Sequence, residues 1–344
     1  MNQSITIVGG GLAGLTLGIG LRQRGVPVTL WEAGRYPRHR VCGEFISGRG
    51  LESLARFGLR AKIEKAGAVA ASTAAFFSTT WRAPPRALPS PSLCLSRHVL
   101  DDLLAKEFRL LGGELREGER WRERDFAEGV VRATGRRAQA EENGARWFGL
   151  KAHATNVPLA ADLEMHVAPN GYVGLCRLNG GAVNVCGLFR LGERQVAAGV
   201  SHELLRGLPG SPLRARLDSA MFDDNSFCAV AGLSLRPHRA VEREECCLGD
   251  AITMIPPVTG NGMSMAFESA EMAAAPLAGW SAGKISWTDA QRMIARQCDV
   301  AFAQRLRWAR WLQRVMLSPA LQRPLVFLAA RREAFWRLWF ERTR

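Results

Sequence analysis

Two glycine-rich segments stand near opposite ends of the sequence, and each contains residue types that suit a nucleotide phosphate. The first is GGGLAG, at residues 9–14, between a β-branched run and an apolar helical pattern. Glycine at positions 9, 11 and 14 allows a tight turn, a close approach of the backbone to a pyrophosphate, and close packing of helix on strand. The free N–H groups at the start of the helix face the negative charge. The pattern therefore predicts a dinucleotide site built on Gly9, Gly11 and Gly14.

An acidic residue follows at the distance that such a site needs. Ser4 to Val8 and Val26 to Trp31 are predicted strands with a helix between them. Glu32 closes the second strand, eighteen residues after Gly14. A carboxylate at that point can accept hydrogen bonds from the ribose hydroxyls of an adenosine. The segment is thus a predicted βαβ unit with the adenosine beside Glu32.

The second glycine-rich segment is GDAITMIPPVTGNGM, at residues 249–263. It predicts a strand end that presents Asp250, then a proline turn, then a helix start with free N–H groups. Two such loops far apart in one chain indicate a single long nucleotide bound at two places, and FAD is long enough to need both. The sequence therefore predicts FAD, with its pyrophosphate at the first loop and its flavin ring near the second.

Composition narrows the classes of partner. The formal charge of +14 comes almost wholly from arginines spread along the chain, and no nucleic-acid-binding motif accompanies them. We therefore expect a basic surface that attracts anionic cofactors, and no nucleic-acid partner. The eight cysteines form no C-x-x-C pair and have no histidine at metal-ligand spacing. This pattern predicts no metal site, and reduced thiols in a cytoplasmic protein.

The predicted fold class is α/β, with a Rossmann-like FAD-binding domain, an interleaved antiparallel β-sheet domain for the substrate, and C-terminal helices. Successive short strands after Trp147, joined at one point through Asn179-Gly180, indicate the antiparallel sheet. The proline-rich stretch WRAPPRALPSPS is predicted as a loop. The FAD-binding domain is assigned to residues 1–70, 93–146 and 236–285, the substrate domain to 71–92 and 147–235, and the helical segment to 286–344.

The C-terminal helical segment carries Trp308, Trp311, Trp336 and Trp339 among many arginines. Pairs at a spacing of three fall on one helical face. One interpretation is that the tryptophans pack the helices on the body of the protein while the arginines face water. The other is a peripheral contact with a membrane surface, which would help a greasy substrate to enter. We favour packing and keep membrane contact as the alternative.

Together these residues resemble the FAD-dependent family that contains para-hydroxybenzoate-hydroxylase-like monooxygenases, flavin halogenases and geranylgeranyl reductases. GGGLAG with Glu32 is similar to the first fingerprint of that family, and GDAITMIPPVTGNGM to its second. LSRHVLDDLL contains an arginine where the family opens a helix, and RVCGEFISG resembles a segment beside the flavin ring. The cofactor contacts that the resemblance implies are Gly9, Gly11, Gly14, Glu32, Arg40, Cys42, Gly43, Arg97, Asp250, Pro257, Gly260, Asn261, Gly262 and Met263.

Two segments depart from the family pattern. Where many monooxygenases have Gly-Ala-Asp-Gly, a motif that helps to bind FAD and NAD(P)H, this chain has ATGRR at residues 133–137, without the aspartate. GYVGLCRL, at residues 171–178, keeps only Tyr172 of the patterns W-x-W-x-I-P of halogenases and Y-x-W-x-F-P of prenyl reductases. The loss of tryptophan and proline predicts a wider cavity above the flavin.

The reaction that the resemblance implies is a monooxygenation that uses NAD(P)H and O2 on a hydrophobic aromatic or polyketide-type substrate, as in secondary metabolism. Alternatives are the reduction of an isoprenoid or other C=C bond, a halogenation, and a flavin-binding protein without turnover. The candidates for proton transfer are Cys42, Lys151, His153 and Tyr172. By strand parity, Lys151 and His153 share one face with Trp147, and that face lies either in the cavity or in solvent.

Overall fold

The computed structural model describes most of the chain as two β-sheets with helices packed around them. The described residues are 2–79, 82–123, 126–136, 145–192, 202–318, 321 and 332–343.

The strands in chain order are β1 (Ile5–Val8), β2 (Val28–Glu32), β3 (Phe45–Ile46), β4 (Val69–Phe77), β5 (Arg86–Cys94), β6 (Glu114–Glu117), β7 (Val130–Arg132), β8 (Ala145–Thr155), β9 (Leu163–Ala168), β10 (Gly171–Arg177), β11 (Val183–Gly192), β12 (Met221–Ala231) and β13 (Cys246–Cys247). The helices are α1 (Leu12–Arg22), α2 (Arg49–Arg56), α3 (Arg60–Lys65), α4 (Arg97–Leu110), α5 (Pro212–Leu217), α6 (Gly262–Ser281), α7 (Trp287–Met316) and α8 (Glu333–Arg342).

The first sheet is parallel, with strand order β13-β7-β1-β2-β6. Helix α1 leaves β1 through the first glycine turn and packs against α4 and α6. Its residues from Leu12 to Leu21 are all buried, because it lies between the sheet and these neighbouring helices. The α/β fold class and the predicted βαβ unit are confirmed.

The second sheet has eight strands in the order β12-β8-β11-β10-β9-β4-β5-β3. All its pairs are antiparallel except β4 with β9. Asn179-Gly180 joins β10 to β11 as predicted, and Gly180 has φ 67°, a left-handed conformation that glycine adopts without strain. The strand ladder thus brings distant segments of the chain onto one surface.

The two faces of this sheet differ, and its register shows which residues share each face. Lys151 is opposite Cys186, which is opposite Gly174, while His153 is opposite Asn184. We call the face that carries these five residues the inner face. The outer face carries Phe148, Leu150 and Ala152 of β8, and it is covered by Leu205, Leu213 and Leu217.

The proline-rich stretch at residues 81–92 is not wholly a loop, so that prediction was wrong in part. From Arg86 onward it forms β5, paired with β4. The ladder shifts register between Ala71 and Thr73, opposite the residues that include Pro89 and Pro91. Proline lacks the N–H that a regular ladder uses, and an irregularity of this kind accommodates it.

The C-terminal segment is helical where it is described. Ser286 caps α7 by accepting a hydrogen bond from the Asp289 N–H at 3.1 Å, and α7 then runs for 30 residues. α8 packs near the end of α7 and on the second sheet. None of the helices in the described part of the chain combines the length and the apolar composition that crossing a bilayer requires.

Candidate active site

Of the three glycines that predict the nucleotide site in the first turn, two are packed against the protein and one is open. A Cβ at Gly9 would lie 2.3 Å from the Ala133 carbonyl oxygen, and one at Gly14 would lie 2.0 Å from the Gly9 carbonyl oxygen. A Cβ at Gly11 would meet nothing within 4 Å. Gly9 and Gly14 are therefore needed for packing, whereas the space beside Gly11, at the N-terminus of α1, fits the approach of a pyrophosphate.

The Glu32 carboxylate is held by the turn and by an arginine. Its oxygens accept hydrogen bonds from the N–H groups of Gly10 and Gly34 and from Arg38, each at 2.8 Å. Burial raises the pKa of Glu32, but the bonds from Arg38 and Gly34 outweigh this and leave that pKa below its usual value. The carboxylate is therefore ionised and faces the turn. Its contact with a ribose stays a prediction.

Two arginines meet at one buried aspartate. Arg97, in the first turn of α4, forms a two-pronged ion pair with Asp101 at 2.7 and 2.8 Å, and Arg40 lies 3.5 Å from the same carboxylate. Burial alone would lower the pKa of Arg97, but Asp101 raises it above the ordinary value. Arg97 is therefore a permanent cation. Arg40, whose pKa is lowered by burial, lies beside it as a second cation, and the pair suits a phosphate.

The second glycine-rich segment packs directly on the first. A Cβ at Gly249 would lie 3.1 Å from the Ala13 Cβ, so the beginning of this segment touches α1. Gly260 has φ 67°, Asn261 occupies the N-cap position of α6 without a capping hydrogen bond, and a Cβ at Gly262 would meet nothing within 4 Å. The second segment therefore ends at an open helix N-terminus, as the first segment does at the start of α1. A long nucleotide can contact both.

Asp250 lies beside the segment that departs from the monooxygenase pattern. Burial raises its pKa, while the charges of Arg136 and Arg97 act in the opposite direction. Ala133 contacts the first glycine turn, and β7, which precedes it, lies between β1 and β13, so residues 133–136 run between the two glycine-rich loops. Arg136, which the sequence analysis did not select, thus brings a cation to the place where an aspartate is absent. Arg137 lies outside the described residues.

A buried charge cluster joins the segment after Arg40 to the inner face. Glu44 is fully buried, and one carboxylate oxygen accepts from the Arg97 N–H at 2.8 Å and lies 3.4 Å from the Lys151 Nζ. The other oxygen lies 2.7 Å from the His153 Nε2. Lys151 is also fully buried. The alternative that leaves Lys151 and His153 in solvent is wrong, because the Arg40–Glu44 segment covers the inner face at this point.

His39 extends this cluster. Its Nδ1 lies 3.0 Å from the Lys151 Nζ, and its ring stacks on His98 with 4.5 Å between centroids. Burial, followed by the charges of Lys151 and His153, lowers the pKa of His39 to about 4. The neutral ring therefore accepts from the lysine at Nδ1 and carries its proton on Nε2. Glu44, Lys151, His153 and His39 form what we call the Glu44 cluster.

The Cys42 thiol lies next to the Glu44 cluster but differs from a reactive thiolate. Burial raises its pKa, and the Arg97 charge only partly opposes this. Its sulfur accepts a hydrogen bond from the Glu44 N–H at 3.4 Å, and its carbonyl accepts from the Asn184 side chain at 2.9 Å. Cys42 is thus a protonated thiol that helps to fix the segment on the sheet.

The rest of the inner face is open at Gly174 and then apolar. A Cβ at Gly174 would have only backbone oxygens for neighbours, the nearest at 3.8 Å. Beyond it, the Tyr172 ring is buried among Val167, Leu188 and Val258, and its hydroxyl donates to the Gln313 side chain at 3.3 Å. Val258 belongs to the second glycine-rich segment. The inner face therefore runs from a charged end, past an open glycine, to an apolar end beside that loop.

Other residues singled out in the sequence have structural surroundings. His166, which alternates with the inner-face residue Val167, bonds to Glu164 at 2.8 Å and stacks on Phe77. Trp336 is buried, Trp308 is half-buried, and Trp311 is exposed, so the packing interpretation holds for part of the set. The side chain of Trp339 lies outside the described residues. Contact with a membrane stays a prediction.

Comparison with known proteins agrees with the geometry of the first domain. Residues 2–147 match the family model described as FAD binding domain. The chain is a flavin-dependent oxidoreductase. The matched part contains the first of the two glycine-rich segments. Among curated protein sequences no relative is found.

The fold of this oxidoreductase is shared along nearly its whole length with solved structures. The flavoprotein/dehydrogenase of Cytophaga hutchinsonii has 15% identity and a TM-score of 0.78, over 99% of this chain and 92% of its own. PqsL of Pseudomonas aeruginosa, in complex with 2-aminobenzoylacetate, has 17% identity and a TM-score of 0.72, and the match covers 95% of this chain and 99% of PqsL. The myxobacterial chondrochloren halogenase CndH has 19% identity and a TM-score of 0.72, and the match covers 100% of this chain and 90% of CndH. These similarities concern the fold.

Sequence reasoning found part of this site. Lys151, His153 and Cys42 were selected, and the structure brings them together. Glu44 and His39 were missed, although Glu44 is only two residues after Cys42 in the segment assigned to the flavin. The available signal was an acid in that otherwise apolar stretch, GEFISG.

Proposed function

We propose that this protein is a monooxygenase that hydroxylates a hydrophobic aromatic or polyketide-type molecule, with NAD(P)H as reductant and O2 as co-substrate. The observation that supports it best is the inner face, where a buried lysine–carboxylate–histidine cluster and an apolar surface lie on the same side of one sheet. A phenolic substrate needs both. Its ring and side chain need an apolar surface, and its hydroxyl needs a group that takes or stabilises a proton.

The residues around the two glycine-rich segments fit FAD. The open backbone at Gly11 and Gly262 and the cations Arg40 and Arg97 suit its pyrophosphate, and the buried Asp250 suits its sugar-like chain. When bound and reduced, this cofactor supplies the activation of O2. The segment that follows Arg40 and the loop that ends at Met263 would bring the ring against the inner face.

The protein's own residues would then act on the substrate. Lys151 can donate a hydrogen bond to a phenolate oxygen and stabilise its negative charge in a site shielded from water. His153, bonded to the Glu44 carboxylate at 2.7 Å, can hold the proton that the phenol loses. The open space at Gly174 accommodates a ring, and the apolar end beyond it accommodates a chain. A phenolate held in this way is electron-rich and positioned for oxygen transfer.

The test is to give the purified protein FAD and NAD(P)H under labelled O2, with a long-chain phenol in one reaction and a small benzoate in the other. We expect faster cofactor consumption and a labelled hydroxylated product with the long-chain phenol. Faster reaction with small benzoates would contradict the substrate class. Reduction of a C=C bond without O2 would contradict monooxygenation and identify the reductase alternative. A bound FAD that no nicotinamide reduces would indicate a flavin protein without turnover.

Halogenation is a second candidate, and the fully buried Lys151 favours it. An ammonium group in a water-poor site can hold an oxidised halide by a hydrogen bond as well as it can hold a phenolate. The same reaction run with bromide or chloride distinguishes the two, since a halogenase would make a product that contains the halogen. A hydroxylated product that does not change with halide would exclude it.

A further inference from the structure

The residue that follows α8 contacts the second glycine-rich segment through a buried hydrogen bond. The Nδ2 of Asn261 donates to the main-chain carbonyl of Thr343, 82 positions later in the chain. Asn261 is fully buried and occupies the N-cap position of α6, but its side chain makes no capping hydrogen bond, so the first N–H groups of that helix are open. A carbonyl oxygen from the end of the chain thus occupies the donor side of a buried amide beside the predicted flavin loop.

Two polar atoms in the same region lack hydrogen-bond partners among the residues that the structure describes. They are the Oδ1 of Asn261, which is an acceptor, and the Nε2 of Gln313, which is a donor. Asn261 is 0% and Gln313 5% exposed, so bulk solvent does not reach these atoms. The Gln313 Oε1 accepts from the Tyr172 hydroxyl at 3.3 Å. Unsatisfied buried groups of this kind require an explanation, and a bound polar ligand is one.

Apolar residues surround these atoms, and α8 supplies two of them. Trp336 and Phe340 pack with Val167, Leu188 and Val258 at the apolar end of the inner face. The Trp336 indole N–H is satisfied by the Ala87 carbonyl at 2.9 Å. α8 therefore covers the surface on which the proposed function places the substrate chain.

We propose that Asn261, Gln313 and Tyr172 form the polar part of a binding site for hydrophobic hydroxyaryl ketones, and that α8 covers this site until such a ligand displaces it. The proposal rests on the proposed function. The flavin contact predicted for Asn261 uses its main chain, which leaves the side-chain amide for the ketone. The ketone oxygen replaces the Thr343 carbonyl at the Asn261 Nδ2, while a neighbouring hydroxyl donates to the Asn261 Oδ1. The Gln313 Nε2 donates to a second oxygen. The alkyl or aryl part takes the volume of Trp336 and Phe340.

Hydrogen–deuterium exchange of the FAD-loaded protein tests this directly, with a long-chain ortho-hydroxyphenyl ketone as the probe. The matched control ligand is the alkylbenzene of equal length, which has no oxygen. We expect the ketone to increase amide exchange in residues 332–343 and the alkylbenzene to bind at least about ten-fold more weakly, because it leaves the amides unpaired. Unchanged or decreased exchange in α8 on ketone binding would overturn the proposal, as would equal binding of the two ligands.

Two variants separate the polar site from its cover. Gln313→Leu is expected to weaken ketone binding about ten-fold while alkylbenzene binding is unchanged, because only the ketone uses the amide. Trp336→Ala loosens α8 and is expected to tighten ketone binding several-fold, since less free energy is needed to displace the cover. Leu338→Ala, on the exposed side of α8, is the control and leaves both affinities unchanged.

The binding measurements do not depend on turnover, so the two proposals can fail separately. If the ketone increases amide exchange in α8 and no oxygen is transferred to any phenol, the ketone-binding site is supported and the monooxygenase proposal is wrong. If long-chain phenols are hydroxylated while exchange in α8 stays constant, the monooxygenase proposal stands and the displaceable cover falls. Should Trp336→Ala not fold, the exchange experiment on the unmodified protein still decides the matter.

Discussion

The His153 Nε2 lies 2.7 Å from a carboxylate oxygen of Glu44, although the two residues are 109 positions apart in the chain. His153 comes from the middle of the second sheet, and Glu44 from the short segment that leaves the first domain after Arg40. This contact joins the part of the protein that would hold the flavin to the part that would hold the substrate. Lys151 strengthens the junction, since its ammonium group lies 3.4 Å from the same carboxylate.

Replacement of Lys151 by methionine tests whether the ammonium group acts on the substrate. We expect kcat/KM for a long-chain phenol to fall about 100-fold, the effect typical of losing a positioned acid–base group, while FAD still binds. Product formation and the flavin absorption spectrum measure the two effects. Lys284→Met, at an exposed lysine, is the matched control and should keep full activity. Near-normal turnover in Lys151→Met would remove this residue from the mechanism.

Glu44→Gln tests the stability of the buried cluster. The free energy of unfolding should fall by about 3 kcal/mol, because the substitution leaves the buried Lys151 charge without its carboxylate. Urea unfolding measures this difference. The double variant Glu44→Gln/Lys151→Met should recover part of the loss, since it removes the unpaired charge. If the double variant lost as much free energy of unfolding as the two single variants together, or more, the two residues would not be coupled in this way.

Two alanine substitutions in the first glycine turn should have separable effects. Gly11→Ala places a methyl group in open space, so we expect normal folding and at least about a ten-fold loss of FAD affinity, equal to about 1.4 kcal/mol. Gly14→Ala places a methyl group 2.0 Å from the Gly9 carbonyl oxygen and should lower the melting temperature even without FAD. Thermal melts and FAD titrations check both. Full FAD affinity in Gly11→Ala would exclude the pyrophosphate from that position.

Gly174→Leu should narrow the open part of the inner face without disturbing the first domain. Apart from the neighbouring residues in the chain, no atom lies closer than 3.8 Å to the position of the added Cβ, so the variant should fold and bind FAD normally. We expect weaker binding of bulky aromatic ligands, measured by the shift they cause in the flavin spectrum. A variant that binds bulky and small ligands as the unmodified protein does would show that ligands do not reach Gly174.

His39 should contribute to the pH dependence of stability. Its pKa is about 4 in the folded protein, below the ordinary 6.5, so between these values the unfolded chain takes up the proton first. Stability should therefore decrease as the pH falls from about 6.5 to about 4, the range between the two pKa values. His39→Gln should make this decrease smaller, as seen in urea midpoints at about pH 7 and about pH 5. The control is His202→Gln, at a partly exposed histidine outside the cluster, which should keep the original slope.

Local patterns predicted much of the first domain. The glycine turn, α1 and β2 follow from residues that are close in sequence. The hairpin at Asn179-Gly180 follows for the same reason. β5 was missed because its prolines are typical of loops, and only its pairing with β4 and the shift in register allow them in a strand.

The sequence by itself determined the cofactor class and the places of its two glycine-rich loops, because turns, helix starts and glycine requirements depend on a few neighbouring residues. Strand parity also determined that Lys151 and His153 share a face. Only the tertiary structure decided that this face is covered, and that Glu44 and His39 complete it, since contacts between residues about a hundred positions apart depend on how the two sheets pack. It likewise brought Thr343 to Asn261, a contact that no local pattern contains.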